Sequence, residues 1–350
     1  MRNQTTRLAA LMGGVGLALA ACGGNVTSTP ATSAVASTPA ASAEVSAPAA
    51  SEGSGYPTGP VTMLVGASAG GSSDLISRAV SKGLTDALGQ PFPVVNRAGA
   101  NGALAASELK TARPDGSTIA IQNASLFAIT PLAVAPGEVT SIDDFDVVFG
   151  VSRDDYVMVT GADSAYSNLD ALKGATDRVT YGTTGVGTGS QVSCALLLNT
   201  AKVESEAIPF DGGAPTLTAV LGGQVKTACI QVGEAIENIQ SGDLVPLAVF
   251  GPERIAYLPD VPTAKEGGLD VEVAQYRFMT VPKGTPDDVK NALIEGMKAT
   301  FATADYKAFN EQNSLTPMEI SGEEVLAQLK ADQQRYADLV AQYGIELGGG

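Results

Sequence analysis

Histidine is absent from all 350 residues, and so is tryptophan. Without an imidazole the chain lacks the side chain whose ordinary pKa lies closest to neutral pH. The Ser-His and Cys-His pairings of acyl-transfer enzymes are therefore excluded. Aromatics make up only 5% of the residues and cysteines number three, too few ligands for a structural zinc cluster. Positive charge is scarce as well: 21 Lys and Arg stand against 37 Asp and Glu, a net charge of −16. A field of that sign repels nucleic acid and anionic lipid, so neither is expected as a partner. A small anion is still admissible, because backbone dipoles in a cleft outweigh distant, screened carboxylates. No catalytic residue, cofactor or metal is expected.

Long hydrophobic runs are missing too, except near the start. MRNQTTRLAALMGGVGLALAACGGN carries Arg2 and Arg7, no acid, and one short apolar stretch that ends in Leu19-Ala20-Ala21-Cys22. A basic start, a brief apolar core and small residues at the cut describe a secretory signal peptide over residues 1–21. The stretch is too short and glycine-rich to span a bilayer comfortably. Cys22 directly after Leu-Ala-Ala resembles a bacterial lipobox, whose thiol is acylated and anchors the mature protein to the outer face of a membrane. Residues 22–55, largely STPATSAVASTPAASAEVSAPAASEGSG, have almost nothing to bury and read as a disordered tether. Outside the cytoplasm Cys194 and Cys229 have the option of pairing. The reading preferred here is two independently buried small hydrophobes, one in a helical pattern and one in a strand-like run.

From Tyr56 strand and helix alternate. VTMLVG (61–66), FPVVN (92–96) and STIAIQ (117–122) are strand candidates, separated by helical patterns from Asp74 to Leu88 and in GALAASELKTA. The first of these carries Leu75, Ile76, Ala79, Val80, Leu84, Ala87 and Leu88 on one face and stops at Gly89. A second block from Tyr156 to Ala274 repeats the alternation, with helices through Val192–Asn199 and Pro215–Leu221. Two closing helices follow, one with Thr285 as cap and Pro286 at its first position, one with the capping box Ser321…Glu324. The pattern predicts an α/β protein of two doubly wound lobes with a central cleft: residues 56–155 plus 277–350 form lobe 1 and 156–276 form lobe 2.

Two glycine-rich turns lie where such sheets bind ligands. In Ala69-Gly70-Gly71-Ser72-Ser73 the glycines leave backbone N–H groups open to a ligand oxygen, the serines add hydroxyls, and the following helix adds its positive end. Asp74 reads as a helix cap, since its charge opposes an anion. The second turn, GTTGVGTG (182–189), offers Thr183, Thr184 and Thr188 hydroxyls and the freed backbone of Gly185 and Gly187, with Gln191 on the next helix. Its spacing is not that of the dinucleotide fingerprint, and no acidic residue follows at the required distance. Asn123 and Ser125 follow a strand at the same edge, with a plain turn as the alternative role. Two opposed loops can grip a carboxylate, and closure then strengthens each bond by excluding water.

VTMLVGASAGGSSDLISR, LGQPFPVVNRAGANG, PDGSTIAI, SIDDFDVV, VTYGTTGVGTGS, IPFDGGAPTLTAVLGGQV, LVPLAVFGPERIAYLPDVPTAKEGGLDV and VPKGTP occur in series between Tyr56 and Ile345. Together they resemble the substrate-binding proteins of tripartite tricarboxylate transporters, the Bug family. The resemblance implies a hinged, two-lobed type II periplasmic-binding-protein fold that closes on a small carboxylate and delivers it to a two-component permease. It implies no enzymatic activity and an extracytoplasmic location. With the lipobox-like Cys22 read separately from residues 1–25, the expectation is a monomer held to the cell membrane by lipidated Cys22. Phe210 stands where that family has an aromatic residue and is placed to pack on the ligand's carbon skeleton. Asp211 departs from the family's neutral or basic residue, which disfavours citrate-like polyanions, favours mono- or dicarboxylates and suits an amine or hydroxyl on the ligand. Tyr276, near another position often aromatic, reads as core or hinge packing. The alternative is a binding protein that signals to a membrane receptor without transport.

Overall fold

Thr62–Val65 form β1, and Met63, Leu64 and Val65 are completely buried, as a strand covered by helices on both faces must be. The computed structural model describes residues 55–348. The expected leader, the tether apart from Gly55, and Cys22 lie outside the described residues.

The first block continues with α1 (Ser72–Leu88), β2 (Val94–Asn96), α2 (Ala103–Thr111), β3 (Thr118–Asn123) and α3 (Ala124–Ala128). The strand β4 (Phe145–Gly161) leads into α4 (Leu169–Lys173), β5 (Val179–Thr183), α5 (Gly189–Thr200), β6 (Ser205–Pro209) and α6 (Gly213–Leu221). Then come β7 (Thr227–Gln231), α7 (Val232–Ser241), β8 (Leu244–Val249) and β9 (Ala274–Pro282). The chain closes with α8 (Asp287–Ala302), α9 (Ala304–Gln312), β10 (Thr316–Pro317) and α10 (Gly322–Tyr343). Among the described residues no helix is long and apolar enough to cross a membrane.

The strands follow the order β2-β1-β3-β9-β4-β7-β5-β6. β2, β1 and β3 are mutually parallel, as are β6, β5 and β7. Between these parallel groups run β4 and β9, antiparallel to each other and to their neighbours. β4 is long enough to serve both sides: Phe145–Asp155 pair with β9, and Tyr156–Gly161 pair with β7 or β8. The crossings expected at 155–156 and 276–277 fall inside β4 and β9.

In α1 the buried stripe is Ile76, Val80 and Leu84, spaced four apart. Each such side chain contributes on the order of 1.5–3 kcal/mol when fully buried. Leu75 does not join it and is 40% exposed. The stripe faces α8, and a Cβ on Gly83 would lie 2.2 Å from Thr300 Cγ2, so the glycine permits the close approach. Gly89 ends the helix at φ 71°, a left-handed turn that glycine takes without Cβ strain. α10 packs on α3, α5 and β4, and buries Val325, Leu329 and Tyr336 in one apolar cluster with residues of both blocks.

Three expectations need correction. Cys194 and Cys229 are joined by a disulfide, with Cα atoms 5.7 Å apart. Packing of α5 across β7 brings the two fully buried thiols face to face, so they are not independent hydrophobes. Helix α1 begins at Ser72 with Gly71 in the cap position; Asp74 sits in its first turn. Helix α8 has Pro286 as its cap, because the Thr285 hydroxyl turns back to donate to the Pro282 carbonyl at 2.8 Å. The Ser321–Glu324 capping box forms as expected: Ser321 Oγ accepts from the Glu324 amide at 3.3 Å and Glu324 Oε2 from the Ser321 amide at 2.9 Å.

Candidate functional site

The turns after β1, β2, β3, β5, β6 and β7 converge at the carboxyl ends of their strands, where α/β sheets bind ligands. They enclose a cavity of about 560 Å³, within the range of small-molecule sites. From the sequence-derived set it is lined by Ala69, Gly70, Gly71, Ser72, Ser73, Asn123, Thr184, Gly185, Thr188, Phe210 and Asp211. Ser125, Thr183, Gly187 and Gln191 stand behind this lining. Thr183 is fully buried with its hydroxyl on the Gly185 carbonyl. Gln191 accepts from the Gly187 amide at 2.8 Å and donates to the Leu347 carbonyl at 3.2 Å. Tyr276 is buried in the apolar cluster.

Both glycine loops are braced from within. The Gly70 amide donates to Asp74 Oδ2 at 2.9 Å, the Gly71 amide to the Ser68 carbonyl and the Thr184 amide to Ser190 Oγ. Thr188 caps α5 by accepting from the Gln191 amide, and its hydroxyl donates to the Gly185 carbonyl at 2.8 Å. Burial opposes ionisation of Asp74, but hydrogen bonds from Arg78, Gly70 and Asn96 outweigh it and hold the carboxyl below its ordinary range. Gly70 and Gly185 adopt φ 84° and 136°, values that a Cβ makes costly. Asn101 ties the two sides together: its Nδ2 lies 3.0 Å from Ser125 Oγ and 3.2 Å from the Gly187 carbonyl.

The floor of the cavity is ionic, and the sequence reading passed over it. Arg277 of β9 and Asp154 of β4 form a buried ion pair. Arg277 also donates to Ser73 Oγ at 2.7 Å and Ser72 Oγ at 3.2 Å, fixing the first two residues of α1 from below. Glu234, in the first turn of α7, accepts a hydrogen bond from the Ser72 amide. Burial pushes the Glu234 carboxyl up, against the opposing effect of Arg277 and that amide. Its carboxylate leaves so little room that a Cβ on Gly213 would lie 1.8 Å from Oε2. Gln231 and Gln275 complete this wall. Arg277 is the one charge in the strand AQYRFMTVP, a signal readable in advance. Nothing local distinguishes Glu234.

The turn also spells Gly66-x-Ser68-x-Gly70, the order of a nucleophile elbow. The chain has no histidine to activate Ser68. Among the described residues no cluster of metal-ligating side chains forms.

A cleft ringed by glycine loops and helix starts, on a sheet crossed by two antiparallel strands, defines a solute-binding protein of the two-lobed periplasmic class. The chain belongs to the tripartite tricarboxylate transporter receptor family, whose model matches residues 76–345. A curated relative from Agrobacterium vitis, encoded in the TAR-I ttuE-ttuC' intergenic region, is 34% identical over 253 residues, spanning 69% of this chain and 71% of its own. The structure of the periplasmic binding protein BugD superposes with a TM-score of 0.76 at 27% identity, covering 84% of this chain and all of BugD. MatC from Rhodopseudomonas palustris, solved with bound malate, gives 0.74 at 26% identity over 81% of this chain and 100% of its own. The protein is a solute-binding receptor of the periplasmic class and not an enzyme.

Proposed function

We propose that this protein captures a small organic carboxylate between lobe 1 (56–155 with 277–350) and lobe 2 (156–276) and delivers it to a two-component membrane permease. On this reading residues 1–21 direct export, lipidated Cys22 anchors the chain and the tether gives the receptor its reach. The observation that carries the proposal is the shared cavity. The Gly70–Ser73 and Thr184–Thr188 turns line it together, each leading into a helix whose N-terminal amides favour an anion. The malate bound by MatC supports the same ligand class, and the buried disulfide suits an oxidising compartment.

A thermal-shift panel of mono-, di- and tricarboxylates, aromatic acids included, tests the reading. At least one mono- or dicarboxylate should raise the melting temperature in a saturable way. A panel with no response overturns it.

A further inference from the structure

Four consecutive residues at one wall of the cavity have positive φ: Gly99 at 130°, Ala100 at 48°, Asn101 at 53° and Gly102 at 97°. Glycine enters the left-handed region freely, but Ala100 and Asn101 carry a Cβ that this conformation crowds. Such a run persists only where its surroundings hold it. Two contacts do so here. On one side Gly102 lies against Gly66, which follows β1 and opens the turn carrying Gly70–Ser73. The two backbones are so close that a Cβ on Gly66 would come within 2.4 Å of the Gly102 Cα. On the other side the Asn101 side chain reaches across to the second glycine loop. Its Nδ2 lies 3.2 Å from the Gly187 carbonyl, and 3.0 Å from both Ser125 Oγ and Thr130 Oγ1.

Gly187 is buried and seated tightly, since a Cβ on it would lie 3.1 Å from the Thr130 Cα. Its carbonyl has a second donor in Thr130 Oγ1 at 3.1 Å, but that hydroxyl also lies 3.2 Å from the Ser125 carbonyl. A hydroxyl has one proton to give and a side-chain amide has two. Asn101 is therefore the donor that can serve Gly187 and still bond within its own wall. Asparagine also suits the position, being among the residues that enter the left-handed region most readily.

We infer that Asn101 is a latch between the lobes: its amide, aimed by the left-handed run, holds the second glycine loop beside the first and sets how readily the ligand-free cleft opens. This rests on the two-lobed reading proposed above, in which residues 99–130 belong to lobe 1 and Gly187 to lobe 2. Donor and acceptor both belong to the chain, so the latch opposes opening whether or not a solute is present. Asn101 acts on the ligand through the loop it positions.

Double electron–electron resonance on the ligand-free protein reads the opening. Nitroxides are placed on Ser107→Cys of α2 and Gln224→Cys ahead of β7, both exposed positions, with Cys22→Ser to keep the label off that thiol. Asn101→Gly deletes the amide at a φ of 53° that glycine takes without strain, so the fold is kept. Asn101→Asp keeps the shape but turns an acceptor toward the Gly187 carbonyl. Each variant should raise the ratio of open to closed protein about fivefold, the weight of one hydrogen bond, with unchanged circular dichroism. An effect of Asn101→Gly alone would reduce the residue to backbone stiffness, and an effect of Asn101→Asp alone to charge repulsion; either overturns the latch. Identical distance distributions in all three proteins overturn it as well. They spare the capture of a carboxylate, which the thermal-shift panel tests separately.

Discussion

Arg277 and Asp154 lie 123 residues apart in sequence and meet as an ion pair with side chains only 1% and 2% exposed. They sit on the two strands that cross between the parallel groups, so the floor of the cleft is also the seam of the sheet. Ser72 and Ser73 hang from the same guanidinium. The loop that lines the cavity is therefore set by a contact made beneath it.

Removing one partner should cost far more than removing both. Arg277→Met leaves Asp154 charged and uncompensated in the interior, and loss of about 3–5 kcal/mol is expected. Arg277→Met combined with Asp154→Leu should recover most of that stability but not the ligand affinity, because the serines stay unsupported. Urea midpoints read the first effect and calorimetry the second. A single variant as stable as wild type would refute the assignment.

The glycine loops predict a different separation. Gly70→Val and Gly185→Val force a Cβ onto φ 84° and 136°, at a local cost of about 1–3 kcal/mol. No buried core atom is displaced at Gly70, where a Cβ meets nothing within 4 Å. The fold should persist, with unchanged circular dichroism, while carboxylate binding is lost. Retained affinity in either variant would show that these turns do not hold the ligand.

Much of this cleft could be read from the chain because its signals are local. The stop at Gly89, the Ser321–Glu324 box and both glycine turns are short-range patterns, and the structure forms each of them. What escaped is long-range. The seventeen residues of β4 hide behind Ser152-Arg153-Asp154-Asp155, a polar run that breaks apolar alternation because Asp154 is paired across the sheet and not solvated. Cys194 and Cys229 meet only through the packing of α5 on β7. Glu234 gains its environment from Ser72 and Gly213, neither of which is near it in sequence.

The disulfide closes a loop of 35 residues. In the chain-entropy treatment such a link stabilises by about 4 kcal/mol, less any native strain. Cys194→Ala with Cys229→Ala should lower unfolding stability by about 2–4 kcal/mol. The cavity, which neither cysteine lines, should keep its affinity at low temperature. An unchanged denaturation midpoint would argue that the reduced chain is already held by packing alone.

Acid should weaken the protein through Asp74. Its folded-state pKa lies below the ordinary 3.8, so its contribution is present above about pH 4 and lost as pH falls through the lower, folded value. Asp74→Asn should therefore destabilise at neutral pH and converge on wild type in strong acid. It should also loosen the Gly70 amide, which would then have no carboxylate to bind. Parallel stability curves for the two proteins over that window would contradict the assignment.

Glu234 should behave with the opposite sign. Burial raises its folded-state pKa above the ordinary 4.5. The folded protein then takes up a proton more readily than the unfolded chain. Stability on this account is full below about pH 4.5 and declines as pH rises toward the folded value. Glu234→Gln removes the decline, so the ligand-free variant should melt higher than wild type at pH 7 and match it near pH 4. Melting curves of the two ligand-free proteins across that range measure the difference. If wild type is the more stable form at pH 7, Glu234 is a structural carboxylate already satisfied by Ser72, and burial does not govern its protonation.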